Sequence, residues 1–108
     1  MALSKDEVIK MVNEFIELLR QKHDIRGVYL FGSYARGFPA EYSDVDLAVV
    51  LGAFESSQED PYDESFRIFH EAQKYNSLLE VICFGLEEFD QDGGALVKRI
   101  KAEGIKLI

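Results

Sequence analysis

The chain holds a single cysteine, two prolines and no tryptophan, and its longest unbroken apolar run is the five residues Leu47–Leu51. The lone thiol, Cys83, cannot close an internal disulfide, so the core must be held by packing; it reads as a buried strand residue. The apolar runs fall far short of the roughly 20 residues a membrane-spanning helix needs, so no membrane association is expected. Histidine is equally scarce. His23 and His70 have no His or Cys companion at ligand spacing, which argues against zinc, and no Ser-His-Asp arrangement can be built from them. His23 follows a predicted helix, where a cation suits the C-terminal end of the dipole.

Positive charge is also in short supply. Twelve Lys and Arg stand against 20 Asp and Glu, a formal net charge of −8. Proteins that bind long nucleic acids carry a basic footprint, because phosphate neutralisation dominates their affinity, so direct binding of a polynucleotide is not expected. The acidic stretches Glu55–Glu64 and Glu87–Asp92 read as solvated faces. Met1–Lys10 already contains Lys5, Asp6, Glu7 and Lys10, which is not the pattern of a secretory leader. Together these features predict a cytoplasmic protein whose 108 residues form one domain, 1–108, able to bury roughly 65% of its extended surface.

Hydrophobic periodicity supplies the elements. Ser4-Lys5-Asp6-Glu7 is a capping box, and Val8, Met11, Val12, Phe15, Ile16, Leu18 and Leu19 then recur at helical spacing to about Lys22. Ile25–Phe31 reads as a first strand that ends at Gly32, with Ser33–Arg36 a short helix. Val45–Leu51 is a second strand, and Gly52–Glu59 a polar loop expected to be mobile. Asp60 caps a helix that opens on Pro61, with Phe66, Phe69, Ala72 and Tyr75 as its apolar stripe. Leu78–Phe84 is a third strand, Gly94–Glu103 a last helix, and Ile105–Ile108 a short edge strand. This alternation predicts an α+β fold of two layers, a small sheet with helices packed on one face.

Two motifs carry the chemistry. Gly32-Ser33-Tyr34-Ala35-Arg36-Gly37 is a glycine turn of phosphate size, and Ser43-Asp44-Val45-Asp46-Leu47 sets two acids two residues apart at the start of an apolar strand. Strand residues i and i+2 share a face with Cα atoms about 7 Å apart, so Asp44 and Asp46 can aim at one point. Paired hard carboxylates beside a phosphate turn suit Mg²⁺, which is commonly shared with substrate phosphates. Glycine lets backbone approach phosphate closely, and Ser33 adds a hydroxyl donor. Arg36 either contacts phosphate or faces solvent. If the second and third strands are neighbours, Glu80 lies on the Asp44/Asp46 face. An acid in an apolar strand is costly unless paired, solvated or metal-bound, which makes Glu80 the best third ligand, the alternative being an exposed edge acid. Singly, Gly32 could simply end a strand and Asp44 cap a turn; their joint spacing is the specific signal. Tyr34 and Tyr42 read as surface or partly packed aromatics.

Gly-Ser-x-x-x-Gly followed by Asp-x-Asp and a later strand carboxylate resembles the minimal nucleotidyltransferases of the DNA polymerase β superfamily, over nearly the whole chain. The resemblance implies the nucleotidyltransferase fold, with a mixed sheet, and transfer of a nucleoside monophosphate, AMP from ATP, to a hydroxyl acceptor with release of pyrophosphate. It further implies that Gly32 and Ser33 hold the triphosphate and that Asp44, Asp46 and Glu80 bind two Mg²⁺ ions, or Mn²⁺, and serve catalysis. Glu80 stands where the family more often has aspartate, one methylene shorter. Minimal members often accompany a helical HEPN protein as the antitoxin of a toxin–antitoxin pair, which would be the partner here. A reading of another class stands beside this one: a non-catalytic module that binds nucleotide or partner and neutralises a protein by contact. The sequence leaves the acceptor, the base preference and homo-oligomerisation open.

Overall fold

The computed structural model describes residues 4–37, 44–52, 61–91 and 94–108. The expected loop at Gly52–Glu59 beyond Gly52, the Asp60 cap, Tyr42 and Ser43 lie outside these residues. Helix α1 spans Lys5–Arg20 and begins at the expected capping box: the Ser4 hydroxyl accepts from the Glu7 backbone N–H at 3.1 Å, and the Glu7 carboxylate accepts from the Ser4 N–H at 3.4 Å. Val8, Val12, Phe15, Ile16 and Leu19 form its buried stripe.

Strand β1 (Ile25–Phe31) leads into the four-residue helix α2 (Ser33–Arg36), and β2 covers Val45–Leu51. Helix α3 (Pro61–Tyr75) precedes β3 (Leu79–Gly85), and two short helices, α4 (Leu86–Asp90) and α5 (Ala95–Glu103), lead to the two-residue strand β4 (Ile105–Lys106). The sheet is mixed, in the order β3-β2-β1-β4, with β2 parallel to β3 and the other two pairs antiparallel.

Strand alternation divides the side chains as the two-residue period requires. Val28 and Leu30 of β1, Val45, Leu47, Val49 and Leu51 of β2, and Leu79 and Val81 of β3 pack against α1 and α3 in the main core. This is the expected layer of helices on one face. On the opposite face a smaller cluster forms from Ala48, Val50 and Phe84, closed by Phe89 of α4 with Val97 and Ile100 of α5. Near Asp46 and Glu80 that face remains partly or fully open.

Three expectations need correction. In α3 the buried residues are Ile68 and Ala72, whereas Phe66 is 64% exposed and Phe69 and Tyr75 38% each. A series of three-residue steps drifts round the helix, so Phe66 and Tyr75 end half a turn apart and cannot share one stripe. Tyr34 is buried in the main core rather than at the surface, and ties α2 to the sheet. Helix α4 forms where only a solvated acidic run was expected, because its single buried residue, Phe89, is inserted between Tyr29 and Phe84 at ring distances of 5.1 and 5.6 Å.

Candidate active site

Glycine 32 joins β1 to α2 with φ 77° and ψ −153°, a backbone region that side chains oppose. There is a second reason for glycine here. A Cβ at this position would run into the Asp46 carboxylate, so the turn and the acid occupy one small space. The placement follows from the β1–β2 register, in which Phe31 is the Cα partner of Asp46 and Gly32 is the next residue. Burial of Tyr34 and the bond from the Arg36 N–H to the Gly32 carbonyl at 3.1 Å fix the turn from its far side.

Across the other edge of β2, the parallel register makes Glu80 the Cα partner of Asp46. The conditional expectation for Glu80 therefore holds: the strands are neighbours, and the two acids share the face opposite the main core. Asp46 is half-buried, while Asp44, one residue before β2, and Glu80 are exposed. Burial, a hydrogen bond with Glu80, and the negative charges of Glu80 and then Asp44 raise the Asp46 carboxyl from its ordinary 3.8 to about 6, against a smaller lowering by Arg36. Arg36 thus lies within electrostatic reach of the acids although its side chain is exposed. Ser33 is partly exposed at the start of α2, beside Gly32.

Gly32, Ser33, Arg36, Asp44, Asp46 and Glu80 are thus gathered at one end of the sheet by three chain segments. Among the described residues no three histidine, cysteine or carboxylate side chains make a ready-built cage for a metal ion. Mg²⁺ does not ask for one, since it keeps several waters and takes one or two carboxylates together with substrate phosphates. Oxygen-only donors, a carboxyl at Asp46 raised by burial and by the neighbouring acids, and a glycine turn lying against that carboxylate all fit such an ion.

Other reactive groups lie elsewhere. Cys83 is turned to the α3 side, and burial pushes its thiol up to about 11, which makes it a poor nucleophile. The His23 ring, expected only as a cation near a helix end, is 10% exposed and its Nδ1 lies 3.2 Å from the Glu64 carboxylate of α3. No local sequence signal links residues so far apart.

A small mixed sheet with a glycine turn and carboxylates at one end defines an α+β domain of nucleotidyltransferase type. The family model described as a nucleotidyltransferase domain matches residues 12–107, and the chain belongs to that family. Two proteins of Methanocaldococcus jannaschii whose names assign them protein adenylyltransferase activity are 50% identical over 42 residues and 37% identical over 43. These alignments cover 37% and 40% of this chain, and the chain spans only 29% and 43% of those relatives. Among solved structures, one from Sulfolobus solfataricus named for nucleotidyltransferase activity superposes with a TM-score of 0.58 at 18% identity, covering 94% of this chain and 80% of that one. A toxin–antitoxin structure with AMP-PNP gives a TM-score of 0.60 at 23% identity, covering 89% of this chain and 71% of that one. At such identities the likeness is one of fold. Among the described residues no helix is long and apolar enough to cross a membrane.

Proposed function

We propose that the protein is a Mg²⁺-dependent nucleotidyltransferase that moves AMP from ATP to a hydroxyl group on a partner protein and releases pyrophosphate. The observation that carries this reading is the convergence on Asp46 of the Gly32 turn from one neighbouring strand and Glu80 from the other. Asp44, Asp46 and Glu80 would hold the metal and Gly32 and Ser33 the triphosphate, with Arg36 adding positive charge. Once bound, the metal supplies charge neutralisation for the attacking and leaving oxygens.

The residues divide the remaining work. Gly32, having no side chain, lets the Asp46 carboxylate lie directly against the backbone of the turn that would hold the triphosphate. The acceptor oxygen forms a bond to the α-phosphorus while the bond to the bridging oxygen breaks and pyrophosphate leaves. The acceptor's proton passes to Glu80, the more exposed member of the pair and therefore the one an incoming protein reaches.

Names of the relatives favour a protein as acceptor, and the toxin–antitoxin likenesses favour a helical HEPN-type partner. Mass analysis of such a partner after co-expression tests this: it should gain one or more nucleoside monophosphates, and none with the Asp44→Asn/Asp46→Asn double variant. A net charge of −8 on a small domain supports a second reading, a non-catalytic module acting by contact. Undiminished neutralisation of the partner by the double variant, with no mass gain in either case, would select it.

A further inference from the structure

Among the described residues no strand pairs with the outer edge of β3. Strand order places β3 at the margin of the sheet, and the Val45 N–H donates to the Leu78 carbonyl at 2.7 Å, so the even-numbered residues of β3 point their backbone groups at β2. Odd-numbered residues therefore point outward. Leu79 is satisfied there: its N–H donates to the Asn76 carbonyl and its own carbonyl accepts from the Gln73 side chain. The outward groups of Val81 and Cys83 meet no partner among the described residues.

Apolar side chains gather beside this gap. Phe66, Phe69, His70 and Gln73 stand at i, i+3, i+4 and i+7 on α3, one helical stripe. Its Gln73 end reaches the Leu79 carbonyl, so the stripe overhangs the open edge, with Phe66 64% and Phe69 38% exposed. Ile82, on the opposite face of the sheet, is 40% exposed. Natural edge strands are usually blunted by charge, proline or a bulge; β3 carries one exposed charge, Glu80, and the stretch Val81-Ile82-Cys83 after it has none of these.

We propose that a second copy of the chain pairs antiparallel with this edge about a two-fold axis at Ile82. In that register Val81 faces Cys83 of the second copy and Cys83 faces its Val81, and both are outward-pointing residues, so their open N–H and C=O groups exchange bonds, while Gly85 falls opposite the already satisfied Leu79. The arrangement is self-complementary, as a two-fold interface must be.

Charge is kept off the seam itself. Two chains of net charge −8 repel, yet the stripe and Val81–Cys83 carry no carboxylate, lysine or arginine, and Glu64, whose charge reaches the Cys83 thiol, is engaged by His23. The register also places the Glu80 residues of the two copies four positions apart, about 13 Å, which exceeds the screening length of roughly 8 Å at physiological salt. Exposed Phe66, Phe69 and Ile82 offer roughly 250 Å² of apolar side chain per copy, about a third of the ~800 Å² per partner in a standard interface. Backbone pairing and the flanks of α3 must supply the rest, so the dimer is a reversible one. Both candidate active sites then open on the same side of a continuous eight-stranded sheet.

Sedimentation analysis of the full chain over a concentration series should show a monomer–dimer equilibrium that Ile82→Lys abolishes without lowering the melting temperature. In a Cys83→Ala background, Ile82→Cys should form a disulfide-linked dimer under mild oxidation, since residues at such a non-hydrogen-bonded pair have Cα atoms about 4.5 Å apart. Leu96→Cys, at an exposed position on α5, is the control and should cross-link no faster than random collision. A monomer at every concentration overturns the proposal, as does a dimer indifferent to Ile82→Lys. A chain that stays monomeric but loses accessibility at Ile82→Cys only when a different protein is co-expressed would assign the edge to that partner and equally refute self-pairing.

Discussion

Asp46 and Glu80 are direct neighbours across the parallel β2–β3 pair, and their carboxyls share a hydrogen bond although the residues lie 34 positions apart. In the metal-free protein this pairing has a pH signature. The Asp46 carboxyl rises from 3.8 to about 6 on folding, so the folded chain holds this proton more tightly than the unfolded chain. Its stabilising contribution is therefore complete below about pH 4 and lost as pH climbs through 6. Melting temperatures recorded in EDTA between pH 4 and 7 should fall more steeply with rising pH in the parent than in Asp46→Asn. Parallel curves would mean that Asp46 titrates normally. Metal uptake displaces this proton, so affinity for Mg²⁺ should increase through the same interval.

Gly32→Ala should be the most damaging single-methyl change near the site. It imposes a side chain at φ 77° and drives Cβ into the Asp46 carboxylate. A loss of about 1–3 kcal/mol is expected from the backbone alone, read as a shift in the urea midpoint. Nucleotide affinity should fall beyond what the stability change explains. Gly37→Ala, at φ 83° but with no atom of the described residues within 4 Å of the new methyl, should cost stability without the second effect.

Much of this arrangement was legible in the sequence, for a physical reason. Alternation along Val45–Leu51 assigns each residue a face, and an acid within an apolar strand, such as Glu80, declares the face it occupies. The glycine turn and Asp-x-Asp lie in adjacent segments, so local spacing located them. Tyr34 was not legible, because a four-residue helix has no periodicity to show which side chain is buried. Nor was α4, whose anchor is one ring, Phe89, in an acidic run. The inward face of α3 was misread for want of knowing where the sheet lies, since apolar residues occur on several sides of that helix.

The contact between His23 and Glu64 joins the end of α1 to α3 and was equally invisible beforehand. Nδ1 of His23 has the Glu64 carboxylate at 3.2 Å, while Nε2 is buried with no hydrogen-bond partner among the described residues, the Glu71 carboxylate standing off at 3.9 Å. Glu64→Ala should therefore cost about 1–3 kcal/mol in equilibrium urea unfolding, by leaving both ring nitrogens unsatisfied. His23→Phe, which removes the polar atoms together with their burden, should cost less. A Glu64→Ala variant as stable as the parent would show that solvent serves the ring equally well.

In the core, Leu47 is fully buried beneath α1 and α3 on the face opposite the acids. Leu47→Ala should destabilise by about 2–5 kcal/mol. Because it leaves Asp46 and Glu80 in register, nucleotide affinity measured well below the melting temperature should change little. A matching loss of affinity would indicate that the site depends on core packing more than the strand register implies.

On the proposed reading, the carboxylates gathered around Asp46 hold a metal-bound nucleotide. Isothermal titration calorimetry with the non-hydrolysable analogue AMP-PNP, with and without Mg²⁺, tests it without requiring the acceptor. The parent should bind the analogue only with Mg²⁺ present, and the Asp44→Asn/Asp46→Asn variant should bind at least ~10-fold more weakly. Equal affinity in the two proteins, or parent binding unchanged in EDTA, would contradict the assignment of this site.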